Sequence, residues 1–484
     1  MHTGSSWRAA ALVAMVLTTA LPASGTIVEF PDPNLEKAVR SWDGLRIPEG
    51  WPVTSDDMLR LVDLRWYDPV PSWAITDLTG LEYALNLRTL KLTHNEVTGL
   101  SPLSGLTSPE ELGLSFNRIS DTGPLSGLVN LKALGLACNQ ITDISPLSPL
   151  TGLEELWVGG NQIADISPLA GLTQLRKLGI GANQISDISV LSGLTNLEFV
   201  GAESNQISDV SVLSGLTKLT YVDLHENQIS VIPDLSALGE LRELWMNDNQ
   251  LTDISPLAGL GKLEKLELRR NQISDVSVLS GLTNLRKVWL YANQIAALPD
   301  LSALTKLETL SLVGNQLTDI SGLAGLSGAP GLWRLDLGEN QLTDISALGG
   351  LAGLHHLELD DNQITDISAL AGLPNLHDVW LDNNQIADIS PLAALATLRD
   401  LYLQNNQISD ISPLASLTNL KVLYLRGNPL DQEAYDIYIP LIRENNPGIG
   451  ILYDPIPEPC ILGLLLSGIA FVLPLKKGRQ RPLH

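Results

Sequence analysis

Four of the chain's ten tryptophans, Trp157, Trp245, Trp289 and Trp380, each stand four residues before an asparagine in a series spaced mostly 22 residues apart, and Tyr402 and Tyr424 hold the same place. Flat apolar rings at one position of a recurring unit suit contact with a partner, or mutual packing as structural cover. Around them the C-terminal half is acidic: Asp336, Glu339, Glu358, Asp360, Asp361, Asp378, Asp382 and Asp400. Such carboxylates can be simply solvated, can face a basic protein, or can hold calcium. The loops lack the D-x-D-x-D-G order of a dedicated calcium loop. Lys265, Arg269, Arg270 and Lys287 form a small basic spot in mid-array. His355 and His377 occupy equivalent positions in adjacent units and should stack, without a third ligand at metal spacing. Acid pairs are too plentiful to single out a glycosidase, and no nucleophile elbow or phosphate-binding loop is present. No catalytic residue, resident metal or cofactor is therefore expected.

A repeat must position these side chains. From Asn95 to Asn315 the asparagines recur every 22 residues, the step to Asn340 is 25, and the 22 spacing then runs on to Asn428, sixteen units in all. The extra residues fall in Ser327-Gly328-Ala329-Pro330-Gly331, a loop composition. In one unit Leu153, Leu156 and Val158 follow L-x-x-L-x-L, a short strand with alternate side chains inward. Asn161 turns the chain, and its amide can bond the backbone of its own and the neighbouring unit, so the repeats predict a buried asparagine ladder. Ser167 before Pro168 predicts a helical start with the serine as cap. Few residues remain before the next strand, so the return leg is a short 3₁₀ turn. Val231-Ile232-Pro233 and Ala297-Leu298-Pro299 depart from the usual Asp-Ile-Ser, and those two outer turns should differ. Positions six, four, two and one before each asparagine face away from the core and form the inner wall.

Asn139-Gln140-Ile141-Thr142-Asp143-Ile144-Ser145-Pro146-Leu147 resembles the 22-residue leucine-rich repeat of the internalins, over roughly residues 85–430. The resemblance implies an α/β-type solenoid, a horseshoe with a parallel concave sheet and short 3₁₀ turns on the convex side. It also implies adhesion-like binding without naming a ligand. Repeat arrays need caps. Residues 26–84 are expected to supply the N-terminal one, with a short amphipathic helix over Pro33-Asn34-Leu35-Glu36-Lys37-Ala38-Val39-Arg40 and an incomplete first strand carrying Leu59, Val62 and Leu64. Trp42, Trp51, Trp66 and Trp73 fall here as core or edge cover. Residues 431–456 hold a C-terminal capping helix around 434–442, then a linker.

Both ends carry transport signals. Residues 1–25 suit a secretory signal peptide: Arg8, an apolar run from Ala9 to Leu21, then Pro22 and the small residues Ala23-Ser24-Gly25. A retained N-terminal anchor is the alternative. At the other end Pro457, Glu458 and Pro459 precede an apolar run from Cys460 to Leu475 and then Lys476, Lys477, Arg479 and Arg481. This order resembles the PEP-CTERM sorting signal over 457–484, which implies an exosortase-type processing enzyme and a transient inner-membrane segment; a plain tail anchor is the alternative. The acidic balance, 54 Asp and Glu against 30 Lys and Arg, excludes a nucleic-acid binder. Two cysteines, Cys138 and Cys460, exclude a disulfide scaffold. The expected protein is an exported, non-enzymatic recognition or adhesion protein with a protein partner. The alternative is a glycan-binding structural component of an exopolysaccharide matrix.

Overall fold

A computed structural model describes residues 25–42, 44–48, 50–66 and 74–455. Residues 1–24 of the expected signal peptide, Trp73, and the sorting segment with Pro457, Glu458 and Pro459 lie outside the described residues. The described chain forms one open sheet of 18 parallel strands, each of three residues. Every strand pairs with the next in sequence, from Asp63–Arg65 against Thr89–Lys91 to Val422–Tyr424 against Gly450–Leu452. The register step equals the repeat: Leu156 stands beside Leu178, and Leu310 beside Leu335 across the insertion.

A typical coil buries seven apolar side chains. In the coil that starts at Leu153 these are Leu153, Leu156, Val158, Ile163, Ile166, Leu169 and Leu172, all at most 1 % exposed. Burying one such side chain is worth about 1.5–3 kcal/mol, but a single coil presents that edge only to its neighbours. The asparagine ladder supplies the polar counterpart. From Asn95 to Asn428 each Oδ1 accepts a backbone N–H of the preceding coil. The Nδ2 of Asn271, for example, donates to Met246 O of the previous coil and Leu268 O of its own, both at 3.0 Å. The residue just before the asparagine is in the left-handed region in nearly every coil, with φ from 50° to 61° in thirteen non-glycine cases from His94 to Asn405. Glycine takes this position only at Gly160, Gly314 and Gly427.

The outer legs are 3₁₀ turns, such as Ser167–Gly171. Their cap differs from the expected one. Ser167 is already the first turn residue, and its N–H donates to Asp165 Oδ1 at 2.7 Å. The aspartate of Asp-Ile-Ser thus performs the capping. Two coils depart from this pattern and have no 3₁₀ turn, between Tyr221–Asp223 and Glu243–Trp245 and between Lys287–Trp289 and Thr309–Ser311. There Val231 and Ala297 replace the aspartate, and Pro233 and Pro299 lack the N–H that would be capped. The insertion lengthens one 3₁₀ run to eight residues, Ser321–Gly328.

The N-terminal helix Pro33–Ser41 buries Leu35, Ala38 and Val39. Its cap, Asp32, accepts from Asn34 N and Leu35 N, while its other oxygen accepts Thr76 N at 2.6 Å and Thr76 Oγ1 at 2.9 Å. Burial pulls this carboxyl upward, but those hydrogen bonds hold it below the usual carboxylate range. The first strand is phased differently from the expectation. Leu61 and Leu64 are buried, whereas Leu59 is 40 % and Val62 39 % exposed. At the C-terminus a π-helical turn, Ala434–Tyr438, leads into the helix Ile439–Asn445. The stretch expected as a linker contains the last strand, Gly450–Leu452, fixed by Asn446 Oδ1 accepting from Leu420 N at 2.8 Å. Among the described residues no helix is long and apolar enough to cross a membrane.

Candidate concave-face binding site

Alternation along each strand turns the middle residue inward and its two neighbours to the inner wall. Trp157, Trp245, Trp289, Trp380, Tyr402 and Tyr424 each end a strand and are half-buried. The register sets Trp380 between Glu358 and Tyr402, and Tyr402 beside Tyr424. Trp380 and Tyr402 stack with centroids 4.9 Å apart and an interplanar angle of 12°. Tyr402 meets Tyr424 edge-on at 5.2 Å, and His356 closes the other side of Trp380 at 4.5 Å. The N-terminal half has its own cluster. Phe199 and Tyr221 stack at 4.4 Å, with Trp157 and Trp245 flanking them at 5.3 Å and 6.1 Å. Trp289 stands in register between Glu267 and Ser311, so no aromatic neighbour in its column covers its faces.

The carboxylates lie beside the C-terminal rings. Asp378 and Asp400 are register partners, and burial together with Asp378 raises the Asp400 carboxyl above its ordinary range. Asp360 is pushed up to about 7, first by burial and then by Asp382 in the next coil. Asp361 occupies the left-handed turn position, with φ 51°. Three of the four cations of the basic spot are paired, two with the preceding coil and one within its own coil. Lys265 pairs with Glu243 at 2.8 Å, Arg269 with Glu267 at 3.3 Å and Arg270 with Asp248 at 3.4 Å. Arg269 also lies over the Tyr291 ring, 5.5 Å from its centroid. The exposed pairs contribute little to stability, and together the three pairs weaken the basic patch, leaving Lys287 as its cation without a carboxylate pair among these contacts.

His355 and His377 meet edge-on at 5.0 Å, and His355 Nδ1 is 2.8 Å from the carbonyl of Gly353. The histidine that gathers acids is its neighbour. His356 Nε2 lies 2.9 Å from Glu358 Oε1 and 3.7 Å from Asp336 Oδ1. Arg334 reaches the same carboxylates, with Nε 2.8 Å from Asp336 Oδ2 and Nη2 2.9 Å from Glu358 Oε1. Burial and Glu358 raise the Asp336 carboxyl despite Arg334.

The family description "Leucine Rich repeats (2 copies)" matches repeatedly between residues 85 and 434, for example at 85–127, 151–194 and 396–434, and "Leucine rich repeat" matches 305–364. The chain belongs to the leucine-rich-repeat proteins. Such proteins are typically binding scaffolds rather than enzymes. An internalin from Listeria monocytogenes is 33 % identical over 81 % of this chain and 94 % of its own, with a TM-score of 0.51. A leucine-rich-repeat protein from Leptospira interrogans is 25 % identical over 78 % of this chain and 99 % of its own, at a TM-score of 0.70. The ectodomain of the receptor kinase GASSHO1/SCHENGEN3 from Arabidopsis thaliana is 25 % identical over 77 % of this chain and 48 % of its own, at a TM-score of 0.64. That ectodomain was solved in complex with CASPARIAN STRIP INTEGRITY FACTOR 2. No curated protein matches the chain.

In this leucine-rich-repeat array the sequence reading missed Phe199, Tyr221 and His356. All three sit six residues before their asparagine, two residues along the strand from the tryptophan column. Reading the two outward columns together would have found them, because residues i and i+2 of a strand share one face.

Proposed function

We propose that this leucine-rich-repeat protein is an exported, non-enzymatic recognition protein that binds a protein or peptide partner through its inner sheet face. The observation that carries this reading is the Trp380–Tyr402–Tyr424 ring series flanked by Asp378, Asp382 and Asp400 on a rigid parallel sheet. Rings offer apolar contact area at low entropic cost, and the surrounding acids favour a partner with basic side chains. The internalin likeness and the complexed receptor ectodomain support recognition at a cell surface. Residues 1–25 act as the signal peptide. Residues 457–484 act as the sorting segment handled by an exosortase-type enzyme, with the repeats of 85–430 and their caps forming the mature body.

The test compares the full chain with a Trp380→Ala/Tyr402→Ala variant in crosslinking pull-downs from the native envelope. A partner held by the wild type and by Trp51→Ala, but reduced at least tenfold by the double variant, supports the reading. Equal capture by all three refutes it. A second reading, binding of a matrix polysaccharide, is favoured by Trp289, which stands in register between Glu267 and Ser311 with no aromatic neighbour in its column. Sugar binding on a glycan array that Trp289→Ala abolishes would select it.

A further inference from the structure

The inner wall carries a second chemistry that ring contact does not use. Asp336, His356 and Glu358 come from two adjacent strands, Arg334–Asp336 and His356–Glu358, with Asp336 in register with Glu358. His356 and Glu358 are two residues apart on one strand and point to the same side. Asp336 is only 3 % exposed. Its Oδ2 is taken by Arg334, but its Oδ1 is buried, has no hydrogen-bond partner and lies 3.7 Å from His356 Nε2. A buried carboxylate oxygen without a donor is costly and calls for an explanation.

We propose that Asp336, His356 and Glu358 form a binding site for a divalent transition-metal cation of the zinc class. Tetrahedral zinc with ligands at about 2.0–2.1 Å places ligand atoms about 3.4 Å apart. The separations from His356 Nε2, 2.9 Å and 3.7 Å, bracket that value, and the three ligand atoms all lie within 4.8 Å of one another. Two carboxylates balance the charge of the cation, and the imidazole nitrogen selects zinc-like metals over calcium or magnesium, which take oxygen ligands. On the other side of the ring, Nδ1 lies 3.8 Å from Asp378 Oδ2, where this third carboxylate orients the imidazole after a small closure. Arg334 is the cation's competitor. It bridges both carboxylates, and its side chain is 34 % exposed, so it has solvent to move into. Three protein ligands leave a fourth position open to the inner groove, next to Trp380.

The test is calorimetric titration of the untagged, chelator-stripped full chain with zinc chloride, and with calcium chloride as a second arm. One saturable zinc per chain is expected, with no calcium uptake at this site. His356→Gln and Asp336→Asn should each weaken zinc binding at least tenfold. Arg334→Gln keeps all three ligand residues and removes the competing guanidinium, so it should tighten binding severalfold. If a ligand variant fails to fold, the cobalt-loaded wild type and Arg334→Gln still decide, through visible absorption from a nitrogen-ligated tetrahedral ion. Absence of saturable zinc uptake, uptake unchanged in His356→Gln, or binding that Arg334→Gln does not strengthen would each overturn the assignment.

Discussion

Replacing Asn271 by alanine should open the solenoid locally, by an amount that its bonds set. Asn271 is 8 % exposed, its Oδ1 accepts the Leu251 N–H at 2.9 Å, and its Nδ2 serves Met246 O and Leu268 O. Alanine leaves that N–H and both carbonyls without the asparagine, and removes the longer contact to Arg269 O at 3.3 Å. A net loss of about 1 kcal/mol per bond gives ~3 kcal/mol, and groups that stay dry raise the figure to roughly 6 kcal/mol. Each coil touches only its neighbours, so the loss concentrates at the coils of Asn249 and Asn271. At about 1.4 kcal/mol per tenfold, exchange of the Leu251 amide should accelerate on the order of a hundredfold or more. Hydrogen exchange read by mass spectrometry measures this, with Ile163, whose N–H is bonded to Asn183, as the distant control. Asn271→Asp should be worse than alanine at neutral pH, because a carboxylate then faces carbonyl oxygens. The raised folded-state pKa of that aspartate means its penalty fades as pH falls toward about 4. Leu251 exchange within threefold of wild type, with an unmoved urea midpoint, would refute the ladder as a stabilising element.

Ala292→Gly, at a φ of 55°, should raise stability by about 0.5–1 kcal/mol in urea unfolding, since only the alanine strains the left-handed turn. Gly314→Ala, at a φ of 65°, should lower it by a similar amount. In the N-terminal cap, Leu61→Ala should cost about 2–5 kcal/mol and Leu59→Ala under about 0.5 kcal/mol, by the same measurement, because only Leu61 faces the core. The Asp165 carboxyl is held below its ordinary range by the Ser167 N–H and hydroxyl. Its contribution is therefore complete above the unfolded value of about 3.9 and disappears as pH falls through the folded value. The urea midpoints of wild type and Asp165→Ala should differ at pH 7, still differ near pH 4, and converge only as pH falls through the lowered folded value; a gap that persists below it would exclude the ionic cap.

The 22-residue asparagine spacing was enough to specify the stacked coils, the parallel register, the ladder and the outward columns, because each of those contacts recurs at a fixed offset from coil to coil. A code written that locally survives in one dimension. The two prolines at 233 and 299 were equally legible, since a missing N–H forbids the same bond wherever the chain goes. Tertiary structure decided what depends on competition between neighbours. Asp165 and Ser167 both had cap chemistry, and only the bend of the turn put the carboxylate on the serine's N–H. Leu59 and Leu61 were equally apolar, and the docking of the first strand on Thr89–Lys91 chose between them. The last strand, Gly450–Leu452, has no leucine pattern and forms because the open edge of Val422–Tyr424 needs hydrogen-bond partners. Asp336, His356 and Glu358 lie in two columns on two strands, and their meeting depends on side-chain directions that packing sets and spacing does not record.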